Sequence, residues 1–256
     1  MTRYKNSADR THADVGISER LRAKTSPQAN DLHTKKQRKP SRTGVDTRGK
    51  LLDAAEVVFA KQGYDGTSLR DIANAARLHL ALSSYHFGTK ERLFEEVIRR
   101  RSLEMEEMRL SRLFKIQSGA QSASETVRLL IEAYVSPMIE ARYGHSRQWQ
   151  AHVRLMASLV NVKRWTPMIR KNYDRCAHMY IERWQEVLPG VDNNALFNAF
   201  SFMVVTMLYV CSYTDRFEKW KKRSPSHKKE LAAVTEDLIR FVHAGFMSLV
   251  QPKTRG

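Results

Sequence analysis

The chain has 256 residues and is 42% hydrophobic, which allows one or two domains with a sizeable core. Its formal net charge of +17 fits a polyanionic partner such as nucleic acid, although a basic solvated surface is the alternative. No apolar run follows Met1, and Cys176 and Cys211 stand far apart without metal-ligand spacing around them. These features exclude a secreted disulfide scaffold and predict a cytoplasmic protein with free thiols and no metal.

Residues 1–45 form a basic segment without apolar periodicity. They carry 11 Lys and Arg against 4 Asp and Glu, a composition that predicts a disordered N-terminal extension. The run KKQRKPSR at 35–42 fits an arm that follows phosphates or enters a minor groove. An extension without function is the alternative, and it is the favoured one for residues 1–30.

The first predicted helix runs from Thr47 to Gln62 and ends at Gly63. Thr67 or Ser68 caps the next helix, and Asp71 stands where a capping box with Ser68 requires an acidic side chain. The apolar positions of both helices recur at helical spacing: Leu51, Leu52, Ala55, Val58 and Phe59, then Leu69, Ile72, Ala73 and Ala76.

A short polar helix follows from about His79 to Tyr85. Two helices joined by a tight turn, the second exposing polar groups, form the helix-turn-helix arrangement that fits a DNA major groove. Leu82 and Phe87 are predicted to pack inward, and Tyr85 has packing as its alternative role.

Two segments, LLDAAEVVFAKQGYDGTSLRDIA (51–73) and YHFGTKERLF (85–94), resemble the TetR family of one-component transcriptional regulators. The spacing from Gly63 to Lys90 is specific to that family. HVRLMASL (152–159) and ERWQEVLPGVDNNALFNAFSFMVVTML (182–208) are more loosely similar to its fatty-acid-responsive repressors.

The resemblance implies DNA contacts from the second and third helices and the start of the fourth. The positions that match the family pattern are Thr67, Ser68, Arg70, His79, Leu80, Ala81, Ser84, Tyr85, His86 and Lys90. Hydroxyls and free N–H groups at a helix start suit a phosphate, and an arginine suits guanine or phosphate. For His79 the alternative is a helix cap, and for Lys90 an ordinary first-turn residue.

The sequence departs from the family pattern at two positions. Arg77 stands where the turn usually has glycine, so an arginine must accept or bend that backbone. Leu80 stands where many relatives have a polar residue, and in the groove it would contact a thymine methyl group.

The rest of the chain is predicted to be helical. The expected helices cover 89–115, 123–142, 146–161, 166–187, 193–215 and 227–250, with Ser118-Gly119 and Leu188-Pro189-Gly190 as breaks. Residues 195–214 carry no charge and are long enough to span a bilayer. A buried helix is the favoured interpretation, and no membrane partner is predicted.

The C-terminal helices carry aromatic residues and methionines that suit an apolar ligand pocket, with plain core packing as the alternative. The candidate pocket residues are Tyr134, Met138, Trp149, His152, Arg154, Met156, Tyr173, Tyr180 and Phe200. Arg154 could pair with a ligand carboxylate or form an internal salt bridge. The last two helices are the predicted dimer seam, through Met203, Met207, Leu231, Val234, Leu238, Phe241 and Val242.

The sequence therefore predicts an all-α protein with an N-terminal three-helix helix-turn-helix DNA-binding domain (46–92) and a C-terminal helical regulatory and dimerisation domain (93–250). Its predicted function is a homodimeric regulator of transcription, a repressor released from a palindromic DNA operator by a small lipophilic effector. A ligand-independent architectural or nucleoid-associated protein is the alternative. The sequence contains no phosphate loop, nucleophile elbow or metal cluster, so it predicts no enzyme and no cofactor.

Overall fold

The computed structural model describes residues 42–117, 122–144, 146–212 and 227–250. Within these ranges the chain forms nine α-helices, a 3-10 turn at Lys163–Trp165 and no strand, so the all-α prediction is confirmed. The helices are α1 (Arg42–Gln62), α2 (Leu69–Ala76), α3 (Leu80–Phe87), α4 (Lys90–Leu113), α5 (Ala123–Tyr143), α6 (Arg147–Leu159), α7 (Thr166–Val187), α8 (Asn193–Cys211) and α9 (His227–Val250). Most of the predicted basic extension lies outside the described residues, and α1 begins at Arg42 rather than Thr47.

The first three helices form a small unit whose ends follow from local chemistry. Gly63 ends α1 with a positive φ of 72°, which a residue without a Cβ adopts at little cost. At the start of α2, the Asp71 amide donates to Ser68 Oγ at 3.2 Å and the Ser68 amide donates to Asp71 Oδ2 at 2.8 Å. The predicted capping box is therefore present.

The turn between α2 and α3 places Arg77 in the left-handed region, with φ 56° and ψ 43°. Among the described residues it is the one non-glycine with a positive φ. Its backbone N–H donates to Asn74 O at 3.0 Å and so closes the end of α2. The arginine thus accepts the conformation for which glycine is usually used, at a cost of about 1–2 kcal/mol.

The longest described helices build the C-terminal part. α4 packs against α1 at one end and against α5 and α7 farther along, while α5 and α8 both pack against α9. Both cysteines are buried and free, as predicted. Burial raises the pKa of the Cys176 thiol to about 11 and that of Cys211 to about 12, so both are protonated at neutral pH.

Helix α8 is long and apolar enough to cross a membrane by length and composition alone, with 33% of its most apolar window buried in the fold. One face packs inward through Leu196, Ala199, Met203, Met207 and Cys211. The opposite face exposes Phe197, Phe202, Val205 and Tyr209. The expected buried helix is thus buried on one side only, since none of the described residues covers its other side.

Candidate functional site

Helix α3 presents the predicted recognition surface. The residues predicted to face the groove are exposed, with Tyr85 at 82% and Leu80 at 39% accessibility; the others are Ala81 and Ser84. His86 is half-buried. This surface leaves hydroxyl, phenol and small apolar groups available to a groove.

The opposite face of α3 holds the helix in place. Phe87 is 4% exposed and joins the core, as predicted, and the guanidinium of Arg48 in α1 lies 5.2 Å from its ring centroid. Leu82 packs half-buried against the same core. The short helix is therefore positioned by packing, since eight residues alone would not hold a helix in water.

Three predicted DNA-contact residues lie at the start of α2, and two of them are exposed. Ser68 and Arg70 are exposed. Thr67 is 3% exposed, and its hydroxyl donates to Gly63 O at 2.7 Å. The predicted DNA contact through the Thr67 side chain is therefore corrected, because that hydroxyl closes the end of α1.

Two other predicted contact residues lie at helix starts. His79 is exposed at the start of α3 and makes no side-chain cap bond, which removes the capping alternative. Lys90 at the start of α4 donates from Nζ to Tyr64 O at 2.9 Å and to Thr67 O at 2.8 Å. Its ammonium also lies 4.3 Å from the Tyr64 ring centroid, so Lys90 fastens the turn between α1 and α2.

A buried charged cluster links α1 to the C-terminal helices, and sequence analysis missed it. Glu56 of α1 is fully buried and accepts hydrogen bonds from Arg101 and Arg100 of α4. His152 Nδ1 lies 3.7 Å from Glu56 Oε1, and its Nε2 is 3.0 Å from the Tyr173 hydroxyl. Burial beside two arginines lowers the pKa of His152 to about 3, so the ring is neutral.

The predicted pocket residues separate into two groups. Trp149, His152 and Tyr173 belong to the charged cluster, since Arg101 lies 5.0 Å from the Trp149 ring. A second group has Tyr134 packed edge-on against Tyr180 at 5.0 Å and Phe200 at 5.3 Å. Met138 and Met156 are buried and Arg154 is half-buried.

Arg109 of α4 lies at the centre of the second group and was also missed. It is 2% exposed, donates from Nε to Tyr134 O at 2.9 Å, and stacks 3.8 Å above the Tyr134 ring centroid. The Tyr180 hydroxyl donates to Arg109 O at 2.8 Å. Its spacing in the sequence could have indicated burial, because Arg109 lies four residues after Met105 and four before Leu113. Both neighbours lie on the buried face of α4.

A groove outside the predicted pocket lies between α4 and α7. It is lined largely by charged side chains, including Glu91, Glu95, Arg99, Arg164 and Lys171. Its charged lining differs from the apolar site that sequence analysis expected among the C-terminal helices.

Four of the seven residues predicted for the dimer seam are buried within the chain. Met203, Met207, Leu238 and Val242 are at most 5% exposed and pack inside the chain, so they are withdrawn as surface contacts. Leu231 and Val234 are half-buried, and Phe241 is 70% exposed. The exposed apolar residues of this region are Phe197, Phe202, Val205, Tyr209, Phe241 and Leu249.

Together the short capped α2, the left-handed turn and the exposed α3 define a helix-turn-helix protein joined to a helical C-terminal domain. Residues 51–97 match the model described as bacterial regulatory proteins of the tetR family, and residues 132–245 match the tetracyclin repressor-like C-terminal domain. The chain belongs to the TetR family. Its relatives are regulators of transcription, not enzymes.

Individual relatives support this assignment. The chain is 36% identical over 52 residues to the negative regulator IcaR of the biofilm operon icaADBC in Staphylococcus aureus, a match that covers 20% of this chain and 28% of IcaR. The match thus spans about a quarter of that curated relative. A TetR-like regulator from Rhodococcus sp. RHA1 is 17% identical with a TM-score of 0.52, covering 80% of this chain and 97% of that one.

A third similar protein is the fatty acid degradation regulator FadR of Bacillus halodurans. It is 16% identical with a TM-score of 0.51, covering 78% of this chain and 95% of that one. At these identities the two solved structures support the fold alone.

Proposed function

We propose that the chain is a DNA-binding regulator of transcription that uses α3 as its recognition helix. The observation that carries this proposal is the exposed α3 surface, held rigidly by Phe87 beneath it. The proposed contacts are those predicted from the sequence except the Thr67 side chain. Ser68, Arg70 and Tyr85 are assigned to phosphates, while Leu80 and Ala81 face the base edges.

We further propose a homodimer that binds a palindromic operator, with half-sites about one helical turn (~34–36 Å) apart. One chain carries one recognition helix, so two copies are needed to read a two-fold symmetric site. The exposed apolar face of α8, with Phe241 and Leu249 of α9, supports this pairing because contiguous apolar surface favours burial against a second copy.

The regulator is proposed to be a repressor that a small lipophilic effector releases from DNA. The similarity to IcaR, a negative regulator, supports repression, and the aromatic group around Tyr134 and Tyr180 supports a lipophilic ligand. α4 is the proposed connection, since it begins beside α3 and continues into the aromatic group. A tenfold loss of operator affinity needs only about 1.4 kcal/mol of coupling.

The decisive experiment selects bound sequences from a random pool of duplex DNA with the full-length protein. We expect a palindromic consensus, which Leu80→Gln should alter and Tyr85→Ala should weaken without altering. Leu103→Gln, an exposed change on α4, is the matched control and should affect neither. Failure to enrich any sequence, despite tight binding to all DNA, would instead support the architectural alternative.

The basic N-terminal segment is tested separately. Deleting residues 1–39 removes ten Lys and Arg and four Asp and Glu, while α1 from Arg42 remains intact. We expect weaker binding and a shallower salt dependence with the same consensus, because phosphate attraction does not depend on sequence. Equal affinity at low salt would mean that the segment plays no part in binding.

A further inference from the structure

Arg109 is a buried cation that has no anionic partner among the described residues. Among the acidic side chains that the structure describes, none forms an ion pair with it, and Glu106, about one turn earlier on α4, pairs with Arg175 at 3.1 Å. Taking an unpaired charge out of water costs several kcal/mol. A buried charge of this kind therefore lowers the stability of the protein unless an interaction with another group offsets the desolvation cost.

The titratable groups around Arg109 do not supply a negative charge. Burial raises the pKa values of the Tyr134 and Tyr180 hydroxyls, and it raises those of Cys176 to about 11 and Cys211 to about 12. All four groups are therefore neutral at physiological pH. The side chains in direct contact with the guanidinium, Tyr134 and Met207, are a neutral aromatic ring and a thioether.

The hydrogen bonds of Arg109 leave donors for another partner. A guanidinium has five N–H donors. Here Nε donates to a backbone oxygen of Tyr134, and Nη2 contacts Met207 Sδ at 3.7 Å. A thioether is a weak acceptor, so a carboxylate at the same place would form a much stronger, charge-assisted bond.

The surroundings also fit an apolar ligand body. The Tyr134 ring stacks on the guanidinium and packs edge-on against Tyr180 and Phe200, and Met207 of α8 contacts Nη2. Methionine has three rotatable bonds and adapts to new neighbours at low cost. Displacement of Met207 would uncover the donor that it now occupies.

From these observations we infer that Arg109 is the anchor for an organic monocarboxylate with an apolar body, held among α4, α5, α7 and α8. This inference rests on the proposed ligand-responsive function and names the chemical class of the effector. A carboxylate, rather than a phosphate dianion, matches the single guanidinium and its neutral lining. Arg109 replaces Arg154 as the predicted ligand-binding arginine, since Arg154 is half-buried and lies on α6.

The test measures thermal shifts of the full-length protein without DNA. The probes are octanoate, decanoate and 4-phenylbutyrate, each compared with the alcohol of the same carbon skeleton. We expect the carboxylates to raise the melting temperature with at least tenfold lower half-saturation concentrations than the alcohols. Equal effects of acid and alcohol, or no shift with any probe, would overturn the assignment.

Two variants distinguish whether Arg109 contacts the ligand or only packs in the core. Arg109→Gln should abolish the preference for acid over alcohol, whereas Arg112→Gln, on the same helix but paired at the surface with Glu140, should retain it. If Arg109→Gln does not fold, Met207→Leu provides the test, because it removes the competing sulfur and should tighten carboxylate binding. Unchanged or weaker binding by Met207→Leu would then contradict the inference.

The outcome is independent of DNA recognition. A protein that binds carboxylates through Arg109 but enriches no operator would refute the proposed regulatory function alone. Operator binding that no carboxylate probe relieves, together with the absence of a thermal shift, would refute the anchor and leave the DNA-binding proposal standing.

Discussion

Glu56 of α1 and Arg101 of α4 form an ion pair in which Arg101 Nε donates to Glu56 Oε1 at 2.9 Å and Nη2 donates to Oε2 at 3.0 Å. Glu56 is fully buried and Arg101 is 9% exposed. The pair joins the first helix of the helix-turn-helix unit to the helix that leads into the C-terminal domain. Because both charges are shielded from water, this pair helps to fix the relative position of the two helices, together with the bond from Arg100 to Glu56.

Arg101→Met is expected to destabilise the protein strongly. It leaves the buried carboxylate of Glu56 with Arg100 as its remaining guanidinium partner, so the free energy of unfolding should fall by about 3 kcal/mol. Urea denaturation measures the change. Arg99→Met is the control, because Arg99 pairs with Glu96 nearer the surface and should cost under about 1 kcal/mol. Equal losses from the two variants would argue against the buried pair as a structural link.

The neutral, buried His152 should make stability depend on pH. In the folded protein its pKa is lowered from 6.5 to about 3, so below pH 6.5 the unfolded chain binds a proton that the folded one does not. Stability from this group is therefore present above pH 6.5 and is lost as the pH falls toward 3. Between pH 7 and pH 5 the loss should reach about 2 kcal/mol.

His152→Gln should remove that slope in urea denaturation at both pH values. Burial raises the pKa of Glu56, which contributes with the opposite sign, since stability from a raised carboxyl pKa is lost as the pH rises. Glu56 is present in both proteins, so the difference between them reports chiefly on His152. The exposed His178 provides the control, and His178→Gln should leave the slope unchanged. A slope that survives His152→Gln would contradict the prediction.

Arg77→Gly is expected to be neutral or to stabilise the protein by up to about 1.5 kcal/mol. Relief of the left-handed backbone gains about 1–2 kcal/mol, and the greater freedom of glycine in the unfolded chain offsets about 0.5–1 kcal/mol. Arg77→Val should destabilise it, because a β-branched residue tolerates this backbone poorly. Ala75→Gly, two residues earlier within α2, is the matched control and should cost about 1 kcal/mol. Calorimetric melting curves distinguish these outcomes.

Substitutions at Lys90 and Tyr85 should affect different properties, the first the stability of the protein and the second its affinity for DNA. Lys90→Met removes two hydrogen bonds to the backbone of the α1–α2 turn and should lower the free energy of unfolding by about 1–3 kcal/mol. Tyr85→Ala should leave stability unchanged and weaken DNA binding, since the side chain is 82% exposed. Urea denaturation and fluorescence anisotropy with labelled operator measure the two properties. A stable Lys90→Met protein whose salt dependence falls by about one unit would support the proposed phosphate contact of Lys90 over its role in the turn.

Phe202→Glu should disrupt the proposed homodimer. Phe202 is 60% exposed on the apolar face of α8, and a carboxylate there would be buried without a partner in the dimer. Sedimentation velocity should give a dimer for the parent protein and a monomer for the variant at micromolar concentration. Leu103→Glu on α4 is the control and should remain dimeric. A dimer that tolerates Phe202→Glu would place the interface elsewhere.

Much of the fold was predictable because its boundaries depend on local signals. The capping box of Ser68 and Asp71, the stop at Gly63, and the cap of α8 by Asp192 all involve residues a few positions apart. Such contacts are determined by short stretches of chain and are visible in the sequence. The start of α1 was missed by five residues, since the predicted helix was begun at Thr47 and the structure begins it at Arg42.

The site was less predictable because its decisive contacts join residues far apart in the chain. Glu56 and Arg101 are 45 positions apart, and Arg109 and Met207 are 98 apart. Periodicity identifies which residues share a helix face, but it does not specify which helix covers that face. The same limitation explains the dimer prediction, in which Met203 and Met207 were assigned to a partner chain although α8 turns them inward.

The unbroken helix α4 also sets the scale of motion needed to read or lose an operator. Its 24 residues span about 36 Å at about 1.5 Å each. A tilt of about 5° around Arg109 would move Lys90, about 28 Å away along the helix, by roughly 2.5 Å, most of the ~3.4 Å rise of one base pair. In the proposed two-fold symmetric pair the displacements would add, so an angular change of this size would put the two proposed recognition helices out of phase with successive major grooves.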